Sequence, residues 1–300
     1  MLSKIIKTYR GLTANCWNIA LCDTPVDDTV KGKELRLRWL KHKHKESWFA
    51  DPFILRADDE VVEFLVEEFV YSTKLGRISR LIADRKTMQL KEIRPILELD
   101  SHLSFPAIMR KGNEIYIYPE NGTADNLTLY HYDPATDRCT KVEKISDRPL
   151  ADAIICEIHG RKYMLTTSLP EPNGAELEVL TMEHGHPEHL QTVVFERNTG
   201  RNAGDIFKVG DTYYRPAQEK ISDEYGAAIS LQRIDSDGDG KLSFSEVAVY
   251  KSPSARLELG FHTFNVHGDL IVVDAKGYRY PFIARILKGL RSLTKNKKAV

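Results

Sequence analysis

WFADPFILRADDEVVEFLVEE, residues 48–68, is the stretch on which the fold turns. An apolar run opens beside small and polar residues and breaks at the turn RADDE. It resumes as a second run rich in β-branched and aromatic residues, which is the pattern of a β-hairpin. The phrase returns as HLSFPAIMRKGNEIYIYPE (102–120), PLADAIICEIHGRKYMLTT (149–167), GRNAGDIFKVGDTYYRPAQE (200–219) and LGFHTFNVHGDLIVVDAK (259–276). Measured from Pro52, Pro106, Ala153, Gly204 and Thr263, the steps are 54, 47, 51 and 59 residues. That period suits a four-stranded propeller blade of the longer kind.

Further strand-like runs follow most copies: RISRLIA and QLKEI, NLTLYHYD, AELEVLTM and TVVFE, AAISLQRI and EVAVY. Helical periodicity is nearly absent between residues 48 and 282. One such hairpin cannot bury its apolar face alone, whereas a closed ring of them can. The reading is an all-β, five-bladed β-propeller over residues 35–282. Short helical extensions are expected at 1–34 and 283–300. A β-sandwich would fit the strand content but not five matching hairpins. Leu35-Arg36-Leu37-Arg38-Trp39-Leu40 largely alternates and is expected to supply the outer strand that closes the last blade.

The composition fits one folded body. Hydrophobic residues make up 42% of 300, and 43 basic residues balance 43 acidic ones. A net charge of zero argues against a dedicated nucleic-acid binder, which is normally basic. No apolar run is long enough for a transmembrane helix, and the N-terminus lacks the apolar core of a signal peptide. The four cysteines have neither zinc-like nor redox-like spacing, so they read as isolated thiols of a cytoplasmic protein. In that compartment the sequons at Asn121 and Asn126 carry no glycan. The zero net charge hides a segregation. Residues 31–45 carry +6 and residues 276–300 carry +8, while residues 46–275 carry −14.

The phrases WFADPFIL, HLSFPAI, PEN, PLADAII, GRNAGDIF with YYRPAQ, and FHTFN with VVDAK resemble one family across about residues 36–282. It is the propeller domain at the N-terminus of plant glucosamine inositolphosphorylceramide transferases, found also as a stand-alone protein in bacterial polysaccharide clusters. That family is similar in turn to the five-bladed arabinanase, levansucrase and invertase superfamily. In those hydrolases an Asp opening the inner strand of blade one is the base or nucleophile, and Asp51 stands at the matching place. An Asp opening blade three orients the site and tunes pKa values, and Asp152 matches it. The hydrolase acid is a Glu early in blade four, where this chain has Gly200-Arg201-Asn202-Ala203-Gly204 instead.

The residues themselves point the same way. In a propeller the first strand of each blade lines the central channel, so the starts of the five repeats converge. Work on a glycosidic bond needs a carboxylate at the anomeric carbon and a proton donor. Asp51, Asp152, Glu120 and His262 are the catalytic candidates. Glu67, Glu68, His102, Ser104, Arg201, Asn202 and Gln218 are the candidates for holding substrate, with Glu219 close by. Arg201 suits a phosphate or carboxylated sugar, because its planar fork binds anions bidentately. Trp48 and Tyr116 could stack on a sugar, or belong to the core. Polar residues lining a channel are often only solvated, and an Asp before Pro can simply cap a turn. Two function classes stay open: an enzyme acting on a glycan or activated sugar, and a non-catalytic propeller that binds a glycan or supports a partner glycosyltransferase.

Two motifs lie outside the axis. Asp235, Asp237, Asp239, the Lys241 carbonyl and Glu246 match the spacing of a calcium loop, with Gly240 at the sharp turn. The flanks read as strands, so a structural Ca2+ would sit on a hairpin rather than between helices; the alternative is an ion-free turn. At the C-terminus, Ile283, Ile286, Leu287, Leu290 and Leu293 share one helical face, with Arg285, Lys288, Arg291, Lys295, Lys297 and Lys298 as the polar face. Such a helix can lie on an anionic membrane surface or pack on the propeller. Leu2, Ile5 and Ile6 with Lys4, Lys7 and Arg10 would add to a membrane contact.

Overall fold

The computed structural model describes residue 8 and residues 12–287, apart from residue 125, residues 169–173 and residues 222–223. The chain opens with β1 (Asn15–Cys22), a one-turn helix α1 (Val26–Thr29) and β2 (Leu37–Trp39). Blade one follows as β3 (Ser47–Ala57), β4 (Val61–Val70), β5 (Leu75–Asp84) and β6 (Leu90–Leu97). Blade two is β7 (Leu103–Lys111), β8 (Glu114–Asn121), β9 (Leu127–Asp133) and β10 (Arg138–Ser146). Blade three is β11 (Leu150–Ile158), β12 (Arg161–Ser168), β13 (Glu176–Thr181) and β14 (Glu188–Val194). Blade four is β15 (Phe207–Val209), β16 (Thr212–Ile221), β17 (Glu224–Ser236) and β18 (Leu242–Tyr250). Blade five begins with β19 (Phe264–His267) and β20 (Leu270–Tyr278).

Those last two strands cannot make a four-stranded sheet alone. The N-terminal strands complete it in the order β19-β20-β1-β2. β1 runs antiparallel to β20 from Asn15↔Tyr278 to Cys22↔Ile271. The alternating segment at Leu35–Leu40 does give the outer strand, β2. The expected boundary at residue 35 is corrected, because β1 lies inside the former extension and forms the third strand of this blade. Joining the chain's two ends in one sheet closes the ring and leaves no long unpaired edge there.

Apolar side chains seal each blade to the next. Phe53 meets Phe105 edge-on at 5.1 Å between blades one and two. Ile19 and Leu21 of β1 join Phe49, Phe64 and Leu81 between blades five and one. Fully burying a side chain of this kind contributes roughly 1.5–3 kcal/mol, so β1 is a structural part of the ring.

The inner strands of blades one, two and three share an irregularity at their upper ends. Pairing breaks between Ala50 and Phe53, between Ser104 and Ala107, and between Ala151 and Ile154. At each break one residue takes the left-handed backbone region: Asp51 (φ 49°), Phe105 (φ 46°) and Asp152 (φ 45°). For non-glycine residues this costs on the order of 1–3 kcal/mol each, and here it re-aims the chain at the axis. Blade four opens differently, on a glycine packed against blade five. A Cβ on Gly204 would stand 2.2 Å from the Phe264 carbonyl oxygen, so the backbones of blades four and five touch there.

Candidate functional site

Polar side chains from all five blades meet at the upper end of the channel. On the side of blades five and one, His262 is the hub. Its Nδ1 lies 2.9 Å from Asp274 Oδ1, and its Nε2 lies 3.6 Å from Asp51 Oδ1. The backbone N–H groups of His262 and Thr263 also donate to Asp274 Oδ1, at 3.3 and 3.0 Å. Asp274 Oδ2 accepts from the Asp51 N–H at 2.9 Å. Asp51 in turn accepts from Thr263 Oγ1 at 3.0 Å and from the Phe105 N–H at 3.1 Å. Burial pushes the Asp51 carboxyl up to about 8, with His262 opposing. Burial would lower His262, but Asp274 and Asp51 outweigh it and raise the imidazole to about 9.

On the other side, Asp152, Glu120 and Arg201 form a second group. Arg201 Nε donates to Asp152 Oδ2 at 2.5 Å, and its Nη2 lies 3.6 Å from Glu120 Oε2. Glu120 Oε2 accepts from the Asp152 N–H at 3.0 Å. Burial and the Asp152 charge push the Glu120 carboxyl up to about 7, against Arg201. Gln218 donates to Asp152 Oδ2 at 3.2 Å and to the Asn202 carbonyl at 2.8 Å. Asn202 Nδ2 holds the Asp152 and Leu165 carbonyls, each at 2.8 Å. Beneath them lies Arg215, which is fully buried. It donates to Asn202 Oδ1 and Gln232 Oε1, both at 2.7 Å, to the Thr199 carbonyl at 3.1 Å, and to the Gly200 carbonyl. Arg215 thereby braces the segment that carries Arg201. The GRNAG segment thus presents the Arg201 cation to Asp152 and Glu120.

His102 Nδ1 accepts the Gly76 N–H at 2.9 Å, which leaves the proton on Nε2, 3.2 Å from Glu67 Oε1. The Glu67 carboxylate raises the His102 imidazole above its ordinary value. Ser104 pairs across the sheet with Glu120. Glu68 is a correction. Neighbours on a strand face opposite ways, so Glu68 turns from the axis into a buried cluster with Ser47 (2.7 Å), Ser79 (2.6 Å) and Arg77 (3.0 Å). Burial pushes its carboxyl up, and these donors bring it below the usual carboxylate range. Glu219 likewise faces away, 3.2 Å from Arg197. Tyr116 packs on His131, and Trp48 stacks on Phe69 at 4.8 Å.

Asp274, Thr263 and Trp17 were not among the expected site residues. Asp274 occupies the second-strand position that carries Glu67, Glu120 and Gln218 in blades one, two and four, so aligning the hairpins would have found it. Trp17 stacks on His262 with ring centroids 3.9 Å apart. It lies outside every repeat, and no sequence signal led to it.

Asp51, His262 and Asp274 each offer one ligand atom, all within 4.8 Å of one another. His262 Nδ1 is already engaged by Asp274 Oδ1 at 2.9 Å. The loop with calcium spacing folds as a hairpin turn. Asp237 Oδ1 accepts the Asp239 and Lys241 N–H groups, both at 2.9 Å. Asp235 pairs with Arg233 at 2.9 Å. Glu246 lies along β18, where Ser230 Oγ donates to it at 2.7 Å and Arg197 pairs with it. Among the described residues, no three acidic side chains of this loop offer ligand atoms within 4.8 Å of one another.

This is a five-bladed propeller whose axis carries two strand-opening aspartates, Asp51 and Asp152, and the Arg201–Asn202 segment. The family model described as glucosamine inositolphosphorylceramide transferase 1, N-terminal, matches residues 37–259, and the chain belongs to that family. Among curated relatives it is 27% identical over 203 residues to glucosamine inositolphosphorylceramide transferase 1 of Oryza sativa subsp. indica. It is 26% identical over 200 residues to the protein of that name from Arabidopsis thaliana. The rice match covers 64% of this chain but only 27% of the relative's length. Among solved structures the fold is similar to a family 43 β-xylosidase/α-arabinofuranosidase from a compost metagenome, in complex with xylotriose. The TM-score is 0.53 at 12% identity, covering 82% of this chain and 87% of that one. A family 43 enzyme from Xanthomonas citri, complexed with xylotriose, gives a TM-score of 0.52 at 9% identity, covering 77% and 87%. Family and fold together support a carbohydrate-related function.

Proposed function

We propose that the chain is a carbohydrate-active enzyme of glycan assembly or trimming that acts on a glycosidic bond or a phosphate-activated sugar at the channel head. The observation that carries this reading is Glu120. Its carboxyl, raised to about 7 by burial beside Asp152, is protonated often enough at neutral pH to donate to a leaving oxygen. Asp152 orients Arg201, and Arg201 offers a cation to an anionic leaving group. Glu67, beside His102, supplies an acceptor for a sugar hydroxyl. Asp51 anchors His262, with both of its oxygens committed inside the protein. The relatives are named glucosamine inositolphosphorylceramide transferase, which suits a substrate that carries a phosphate. A cytoplasmic position at an anionic membrane surface belongs to the same proposal.

Two observations favour a second reading, a non-catalytic glycan-binding propeller that supports a partner glycosyltransferase. The match covers only 27% of the rice relative, and the blade-four acid of the hydrolases is replaced here. Glu120→Gln decides between them when sugar binding and turnover are measured together. Binding kept with turnover lost supports catalysis. Binding by the wild type without turnover of any activated sugar supports the second reading. No sugar binding by the wild type defeats both.

A further inference from the structure

A cavity of about 580 Å³ lies at the junction of blades five and one, and shares Trp17 with the axial cluster. Distant parts of the chain build it: the start of β1, the end of β2 with its link into β3, Tyr71 after β4, the loop before β19 and the residues just after β20. Five cations line it, namely Lys41, Lys43 and Lys45 from the link, Arg256 from the loop, and Arg279 after β20. No Asp or Glu lines it. Among the described residues, none of the five cations has an ion-pair partner, whereas most arginines elsewhere in the molecule do. Ring closure thus collects basic residues that the sequence keeps far apart, on a protein whose residues 46–275 carry −14. A concave cluster of uncompensated positive charge focuses the field on an anion.

The rest of the lining is equally specific. The Arg279 guanidinium sits 4.4 Å from the Tyr71 ring centroid and donates to the Lys45 carbonyl at 2.8 Å, so it is already oriented. All three tryptophans of the protein, Trp17, Trp39 and Trp48, line the cavity. Asn18 donates its amide N–H to the Leu40 carbonyl, which leaves its buried Oδ1 without a hydrogen-bond partner. Cations, aromatic surfaces and a free buried acceptor suit a ligand that combines an anion with hydroxyl groups. Trp17 also connects the two sites, since the ring that lines this cavity stacks on His262, 3.6 Å from Asp51.

We infer that this cavity binds the phosphate of a sugar or polyol phosphate ester and presents the attached ring toward the axial cluster. The delivery of a sugar to the axis rests on the function proposed above; the phosphate subsite stands on its own lining.

Intrinsic fluorescence tests it directly, because every tryptophan reports on the cavity. The probes are inorganic pyrophosphate, a hexose 1-phosphate, the neutral hexose, and phosphatidylcholine vesicles with and without phosphatidylinositol. Lys43, Lys45 and Arg256 are exposed, so the triple alanine variant removes charge without opening the core. A saturable change with a phosphate-bearing probe, weakened at least tenfold in the triple variant and absent with the neutral hexose, is expected. A response to hexose 1-phosphate assigns a soluble source, and one confined to phosphatidylinositol vesicles assigns a lipid-borne source; both support the subsite. Hexose 1-phosphate bound no more tightly than pyrophosphate would keep the subsite and count against sugar handling at the axis. No response to any phosphate-bearing probe, or equal binding by the triple variant, overturns the inference.

Discussion

His262 is bound through Nδ1 to Asp274 at 2.9 Å, and both residues are almost completely buried. The imidazole titrates near 9 in the fold against about 6.5 in the unfolded chain. A group raised in this way stabilises the fold fully below its unfolded pKa and loses that contribution as pH rises through its folded pKa. The stability from this pair is therefore present at pH 6 and declines between about pH 6.5 and 9. Asp51, raised to about 8, acts in the same direction. Urea unfolding at pH 6 and at pH 9.5 should show the loss, and His262→Gln should flatten the slope. A stability that rises toward pH 9.5 would contradict the arrangement.

Glu120 carries the second prediction. If it is the proton donor, turnover should fall above pH 7, where its carboxyl ionises. Glu120→Gln should lower kcat by roughly 10²–10⁴-fold and remove that alkaline limb, while sugar binding persists. Turnover unchanged in Glu120→Gln would pass the role of acid to His102.

Gly204 is required for a steric reason. Gly204→Ala would bring a methyl carbon against the Phe264 carbonyl oxygen, a backbone atom that cannot swing aside. Such overpacking costs about 1–3 kcal/mol. Chemical denaturation should register the loss, and wild-type stability in this variant would show that blades four and five can separate there.

Calcium binding by the Asp235–Glu246 hairpin would require Glu246 to leave Ser230 and Arg197. Millimolar calcium should thus raise the melting temperature of Arg197→Ala more than that of the wild type. Asp237→Ala should abolish any such rise. Equal, calcium-independent melting of wild type and Arg197→Ala would leave the hairpin as a turn without an ion.

The C-terminal segment gives the fifth prediction. Residues 281–287 are helical, and Phe282 (78%), Ile283 (41%) and Ile286 (48%) are exposed rather than packed on the propeller. Arg285 pairs with Glu258 at 2.7 Å. Lys288, Arg291, Lys295, Lys297 and Lys298 lie outside the described residues, as do Leu2, Lys4, Ile5, Ile6, Lys7 and Arg10 at the other end. In flotation with anionic liposomes, the full chain should partition more strongly than one ending at Pro281. Equal partitioning would remove the membrane contact.

The sequence by itself determined the fold and the ring of axial positions. A hairpin is a local object whose turn and strand residues are neighbours in the chain, so five copies at a near-constant step specify five blades. The inner-strand starts then converge, which is why Asp51, His102, Asp152, Arg201 and His262 could be named together. Glu68 was misjudged because adjacent strand residues look alike in sequence, and only the register turns one to the axis and the other into the core. The tertiary structure alone decided the rest. β1 enters blade five across a separation of more than 250 residues, from Asn15 to Tyr278. No local pattern marks such a pairing, because it is fixed by the unsatisfied edge of β20 and by the need to close the ring. That closure seats Trp17 on His262. It also turns two basic stretches at opposite ends of the chain into one cation-lined cavity.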